Sequence, residues 1–107
     1  MDADREGDRF LLAVREAMAG ELRGLGPRAP SEDQIDSEID EGRALFSVSW
    51  QAVGHQLGLD FNESQRPLGN LLGRDLVAYD RRDATRCVLT AGGRSVASGI
   101  RKNQRGG

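Results

Sequence analysis

Ser49-Trp50-Gln51-Ala52-Val53-Gly54-His55-Gln56-Leu57-Gly58-Leu59-Asp60-Phe61-Asn62-Glu63-Ser64-Gln65-Arg66-Pro67-Leu68-Gly69-Asn70-Leu71-Leu72 is the stretch that decides how this chain is read. Ser49 is a good N-cap, because its hydroxyl can accept one of the unpaired N–H groups at a helix start. Trp50, Val53 and Leu57 follow at steps of three and four, the spacing of one buried helix face. A helix is therefore expected over Trp50–Leu57, stopped by Gly58. Leu59-Asp60-Phe61 then turns the chain and Asn62 is the expected cap of a further helix, from about Glu63 to Arg74, with Leu68, Leu71 and Leu72 inward. Two short helices joined by a turn that begins at glycine carry the helix-turn-helix signature.

Beyond this pair, Leu76–Tyr79 and Thr85–Leu89 read as strands separated by the polar run Asp80-Arg81-Arg82-Asp83-Ala84. Two strands joined by a short polar loop make a β-hairpin. Thr90 is the expected cap of a last helix from Ala91 to about Arg101, with Val96 and Ile100 one turn apart. Residues 102–107 are polar, end in Gly-Gly and are expected to form a disordered tail.

Before the pair, Ser31 and Gln34 have the spacing of a capping box. A helix should run from Glu32 to about Ala44, with Ile35 and Ile39 inward and Asp33, Asp36, Glu38, Asp40 and Glu41 making an acidic outer face that repels phosphate. Leu45–Val48 reads as a short strand. The first segment, about Asp4 to Leu25, carries Leu11, Val14, Met18, Leu22 and Leu25 in one helical stripe, widened by Phe10 and Ala17. A small domain rarely needs such a helix for its own core. The stripe is thus expected either to form a dimer interface through Leu11, Val14, Met18 and Leu22 or to brace the C-terminal helix. The chain divides into an N-terminal helix with its linker (1–30), a main domain (31–101) and the tail (102–107).

The chain has 107 residues, 37% of them hydrophobic, enough for a single domain with a modest core. One cysteine, Cys87, forms no internal disulfide, and with a single histidine, His55, it gives no zinc set. No metal or cofactor is expected. No apolar run reaches the roughly 18 residues of a membrane span, and the acidic start Met1–Glu6 lacks a signal peptide's basic and apolar regions. A cytoplasmic protein without membrane contact is the expectation. The net charge of −2 is unevenly spread, with −6 over residues 1–46 and +4 over residues 47–107. Such asymmetry points to a surface that meets a polyanion, or to chance imbalance on solvated faces. No phosphate loop and no Ser-His-Asp set is present, so an enzyme is not expected.

The order helix, short strand, helix, turn, helix, strand, charged loop, strand, helix resembles the winged-helix fold. Trp50–Leu59, then Leu68 and Leu71, then Asp75-Leu76-Val77, and finally Val88-Leu89-Thr90-Ala91-Gly92-Gly93-Arg94 are similar to the corresponding pieces of the multiple-antibiotic-resistance regulator (MarR) superfamily. The likeness covers Trp50 to Ala97 and is most specific at the Leu89-Thr90 junction. The fold class is thus mainly α with a small β-hairpin: a winged helix-turn-helix with an extra N-terminal helix. The chain departs from the pattern at Asp75, where the family usually has glycine. Pro67, Gly69 and Gly73 also interrupt the proposed reading helix, so that helix either starts near Pro67 or is kinked.

The resemblance implies a DNA-binding transcriptional regulator that engages duplex DNA as a homodimer. In it, the reading helix would present Asn62, Gln65 and Arg66 to base edges. Gln51 would meet the backbone from the preceding helix, and the hairpin tip would bring Arg81 and Arg82, with Arg86 and Arg94 nearby, to phosphates or a minor groove. Bland readings stand beside these: Asn62 as a plain cap, the tip as a solubilising turn, His55 as a solvated polar residue, Trp50 and Tyr79 as core. Cys87 reads as a small buried hydrophobe, with a redox sensor as the alternative. The competing function is a winged-helix module that docks a protein partner and no DNA, suggested by the acidic 32–41 face and the interrupted helix.

Overall fold

A computed structural model describes residues 2–44 and 46–106. Met1, Gly107 and Leu45, the first residue of the expected Leu45–Val48 strand, lie outside the described residues. Among the described residues five helices, α1 (Asp2–Arg23), α2 (Glu32–Asp40), α3 (Trp50–Gln56), α4 (Phe61–Gly73) and α5 (Ala91–Gly106), enclose a small antiparallel sheet of β1 (Val48–Ser49), β2 (Val77–Asp80) and β3 (Asp83–Leu89). The strand order is β1-β3-β2, so β3 is the centre of the sheet. The expected architecture, mainly α with a hairpin, is present, and the short upstream strand adds a third member by pairing Val48 with Cys87. No helix among the described residues is long and apolar enough to cross a membrane.

Helix α1 is the spine. It packs against α2, α3, α4, α5 and β1. Phe10, Leu11 and Val14 are fully buried and Met18 nearly so. This corrects the expected dimer interface: Leu11, Val14 and Met18 complete the core of one chain and are not available to a second copy. Only Leu22 of the four stays half-exposed. The bracing role, the other reading of the stripe, is the one the packing supports.

The caps explain where most elements begin and end. Ser31 accepts from Gln34 N–H while the Gln34 side chain accepts from Ser31 N–H, the capping box expected for α2. That helix stops at Asp40, short of the expected Ala44, because Gly42 adopts φ 76°. Helix α4 ends in a Schellman motif, with Leu76 N–H donating to Leu71 C=O and Asp75 N–H to Leu72 C=O. Asp75 stands at its left-handed position with φ 58°, which is the physical content of the glycine-to-Asp departure. Of the expected strand, Val48 is in β1 and Ser49 joins it, while Phe46 and Ser47 are outside it and the Ser47 carbonyl accepts from the Arg86 guanidinium at 2.6 Å. Helix α5 continues to Gly106 instead of fraying after Arg101. Arg101, Lys102 and Gln104 are good helix formers, and Arg101 is tied to Asp36 at 3.2 Å.

The acidic face of α2 is not simply an outer face. Arg15 of α1 is 2% exposed and lies among the carboxylates of α2. Its Nη2 reaches Asp36 and Asp40 at 3.1 Å each, and its Nε reaches Asp40 at 3.2 Å. Burial pushes the Asp36 carboxyl toward neutrality, but the hydrogen bond from Arg15 and the charges of Arg101 and Arg15 outweigh it and hold its pKa below the usual 3.8.

Two close approaches fix the helix pair and the last junction. A Cβ on Gly54 would overlap the Ser64 hydroxyl, so α3 and α4 touch only because residue 54 has no side chain. A Cβ on Gly93 would overlap the Leu76 carbonyl. There Thr90 clamps the chain, donating to Asp75 C=O at 2.6 Å and accepting from Gly93 N–H at 3.0 Å.

Gly54→Ala should destabilise by about 1–3 kcal/mol, the usual cost of overpacking. Asp75→Gly should instead stabilise by up to ~1 kcal/mol by relieving the left-handed residue, and calorimetric midpoints distinguish the two. Asp36 gives a pH dependence. Its folded pKa is depressed, so its stabilising contribution is complete above 3.8 and is lost as pH falls through the lower folded value. The thermal midpoint of Asp36→Asn should start lower and fall less between about pH 5 and pH 2 than that of the parent.

Candidate nucleic-acid interface

Ser49 caps α3 as expected, accepting from Ala52 N–H at 3.2 Å. The cap of α4 is Asp60, not Asn62. Asp60 accepts from Glu63 N–H at 2.7 Å, and the Glu63 carboxylate accepts from Asp60 N–H at 3.1 Å. Glu63 completes a capping box that only a residue three positions after the cap can make, and this places the helix start two residues earlier than expected. Asn62 is thereby left exposed in the first turn, with no hydrogen-bond partner among the described residues. The helix runs from Phe61 to Gly73 with Pro67 inside it, so it does not begin at Pro67. Pro67 supplies no donor to the Glu63 carbonyl, and it is buried at the margin of α4 that faces α1.

With Ser64, Pro67, Leu68 and Leu71 inward, α4 turns Asn62, Gln65, Arg66 and Gly69 outward. Arg66 stands at one margin of this face, where it lines a cleft of about 180 Å³ with Glu6, Arg9, Leu57, Leu59, Glu63 and Pro67. Gln51 and His55 are exposed on α3. At Gly69 and Gly73 a Cβ would meet nothing within 4 Å, so internal packing does not require glycine there.

The hairpin turns at Arg81 and Arg82, both exposed. Its carboxylates shape it. Asp80 accepts from the Ser47 hydroxyl at 2.6 Å and from Arg82 N–H at 2.9 Å, while Asp83 accepts from Thr85 N–H at 2.9 Å. These bonds, with Arg86 close by, hold both carboxyls below the usual carboxylate range. Arg86 donates to the Ser47 hydroxyl and carbonyl, and Arg94 lies over Gly42 with a long 3.5 Å contact to Leu89 C=O. Both arginines were expected to face DNA. Both are half-buried, and each is directed to a backbone carbonyl of its own chain, Arg86 closely and Arg94 at the long limit.

One contact chain joins the hairpin to the helix pair. Trp50, buried as expected, donates its indole N–H to Ala84 C=O at 2.8 Å. Phe61 tilts against it, with ring centroids 5.3 Å apart and planes at 41°. Phe61 is 49% exposed and Tyr79 47%, so Tyr79 is not the core residue expected of it. Tyr79 shares the sheet face of Val77 and Cys87 but lies toward the hairpin tip, beyond the helices that cover them. Phe61, expected in the turn, is instead the first residue of α4. The available signal was an apolar residue directly after an Asp that stands three before Glu63.

The sum of charge on this face is modest. Arg66, Arg81 and Arg82 project outward, and Asp60, Glu63, Asp80 and Asp83 lie among them. Among the described residues no group of three or more potential metal ligands converges. Comparison with protein-family models, with curated proteins and with solved structures finds no match to this chain.

Cys87 is fully buried in β3, and burial raises its thiol pKa to about 12. The thiolate is the reactive form. Cys87 in the folded protein should react with an aromatic disulfide reagent at pH 8 at least about a hundredfold more slowly than in denaturant. Equal rates would restore the sensor reading.

Proposed function

We propose that this chain is a winged helix-turn-helix that binds duplex DNA, as a regulator of transcription does, through the outer face of α4 and the hairpin tip. The observation that carries the reading is the Ala84–Trp50–Phe61 chain, which sets the first turn of α4 beside the hairpin. The element order and the antiparallel order β1-β3-β2 agree with it. In such an arrangement α4 enters a major groove and the tip reaches the flanking backbone or minor groove. Asn62, Gln65 and Arg66 then face base edges, and Arg81 and Arg82 neutralise phosphates. Gln51 stands at the start of α3, where the strand backbone passes. Arg86 and Arg94 serve by holding the hairpin and the last junction.

The near-neutral face favours one second reading, a winged-helix module that docks a protein through the half-exposed Phe61 and Tyr79. The two readings separate on charge. Glu63→Gln keeps the capping box, since glutamine can also reach back to the cap N–H, but removes a negative charge from the reading turn. DNA binding should tighten several-fold in this variant, whereas docking of a neutral protein surface should not respond in that direction. Homodimerisation needs a surface other than the α1 stripe, and sedimentation at 11.6 kDa or twice that mass decides it.

Mobility shifts on random duplex at about 50 and 200 mM salt should show binding that weakens with salt. The Arg81→Ala/Arg82→Ala double variant should bind all sequences more weakly, with a salt slope shallower by about 1.8, that is about 0.9 for each lost phosphate contact. No binding at the lower salt overturns the DNA reading.

A further inference from the structure

Phe61 is the first residue of α4, and half of its surface is exposed. The ring is not loose. It rests on Trp50, which is 5% exposed and pinned to the Ala84 carbonyl at 2.8 Å. A rigid aromatic edge thus projects from a helix turn that is otherwise polar. The chain itself leaves the rest of the ring unburied, so a ligand that covers it gains apolar burial without having to order it.

The turn around it excludes one class of contact and suits another. A helix N-terminus ordinarily attracts phosphate. Here the Asp60 and Glu63 carboxylates accept from two of its N–H groups, those of Glu63 and Asp60, and both carboxylates are negative. This turn therefore disfavours a phosphate, and within a DNA groove the features it suits are the uncharged base edges. Beside the ring stand two uncommitted amides, Asn62 and Gln65. Farther along the outer face Gly69 and Gly73 leave open space where side chains would stand, so the α4 backbone can approach a surface closely.

In a major groove the neutral features are the base edges. Asparagine and glutamine pair with adenine N6 and N7, and apolar side chains contact the thymine 5-methyl. We infer that Phe61 is a specificity-determining residue, its ring edge packing on the 5-methyl of a thymine while Asn62 or Gln65 bonds an adenine, so that α4 selects A·T pairs at its first turn. This rests on the DNA reading of the α4 face. It assigns the base class that reading leaves open.

The test begins with selection of bound sequences from a random 20-bp duplex pool by the full chain. The selected duplex is then resynthesised with deoxyuridine replacing thymidine one position at a time, which deletes only the 5-methyl. At one or two positions the affinity should fall about fourfold, the equivalent of one buried methyl at about 0.8 kcal/mol. Phe61→Ala should bind the parent duplex more weakly and lose the difference between thymidine and deoxyuridine at those positions. A selected duplex whose affinity is indifferent to every thymine methyl overturns this inference and leaves the DNA reading standing. So does a Phe61→Ala variant that keeps the full methyl dependence. A pool that is bound at low salt but yields no enriched duplex also overturns this inference and leaves the DNA reading standing, whereas no binding of the pool at about 50 mM salt overturns both. If Phe61→Ala fails to fold, Phe61→Leu serves in its place, and the deoxyuridine series on the unaltered protein can still overturn the inference by itself.

Discussion

The buried guanidinium of Arg15 is the interaction on which the arrangement depends. It sits on the same helix face as Leu11, Val14 and Met18, at 2% exposure, and it is tolerated there only because Asp36 and Asp40 of α2 meet it at 3.1 Å. An unpaired buried charge would cost several kcal/mol. The pairing therefore dictates where α2 lies along α1, and Asp36 passes the constraint to α5 through Arg101. Three helices are registered by one side chain. The apolar stripe of α1 follows it inward, so a helix that could have been an interface becomes the spine of a single chain.

That placement has a consequence for the outer face. With α1 running alongside α4, the N-terminal acids come to the C-terminal end of α4. Asp4 accepts from Asn70 at 2.9 Å and Asp8 from Arg74 at 3.1 Å. Arg74 is thereby paired, and among the described residues Arg66, Arg9 across the cleft from it and the two arginines at the hairpin tip stand near this face without an ion pair. A face of this kind gains little from non-specific attraction to a polyanion. Under the proposed DNA reading, discrimination would rest on short-range fit at the aromatic and amide groups of the first turn of α4.

Much of the scaffold was legible because its signals are local. The Ser31–Gln34 box, the Ser49 cap, the stop at Gly58 and the Leu89-Thr90 junction each depend on residues a few positions apart. Element type and order followed from these and from the apolar spacing. Errors clustered where two local signals competed. Asn62 and Asp60 are both good caps, and the choice between them turned on Glu63 standing three residues after Asp60. Apolar spacing extends α2 toward Ala44, whereas Gly42, in the left-handed region at φ 76°, ends it.

The site was less legible, for a different reason. Nothing local separates Arg81 and Arg82, which remain exposed, from Arg86 and Arg94, which bond carbonyls of Ser47 and Leu89 far away or around a corner in the chain. An arginine's role depends on which unpaired acceptor lies within its reach, and that is settled only when the segments are brought together. The same holds for Gly54, whose missing side chain makes room for Ser64, and for Arg15, whose partners are more than twenty residues away. By itself, the amino-acid sequence determined the helices, the hairpin and their order, because caps and periodicity act over one or two turns. Only the tertiary structure decided which apolar stripe was core, which charges were spent inside and which aromatic ring was left in the open, because burial and ion pairing are properties of surfaces that meet across the chain.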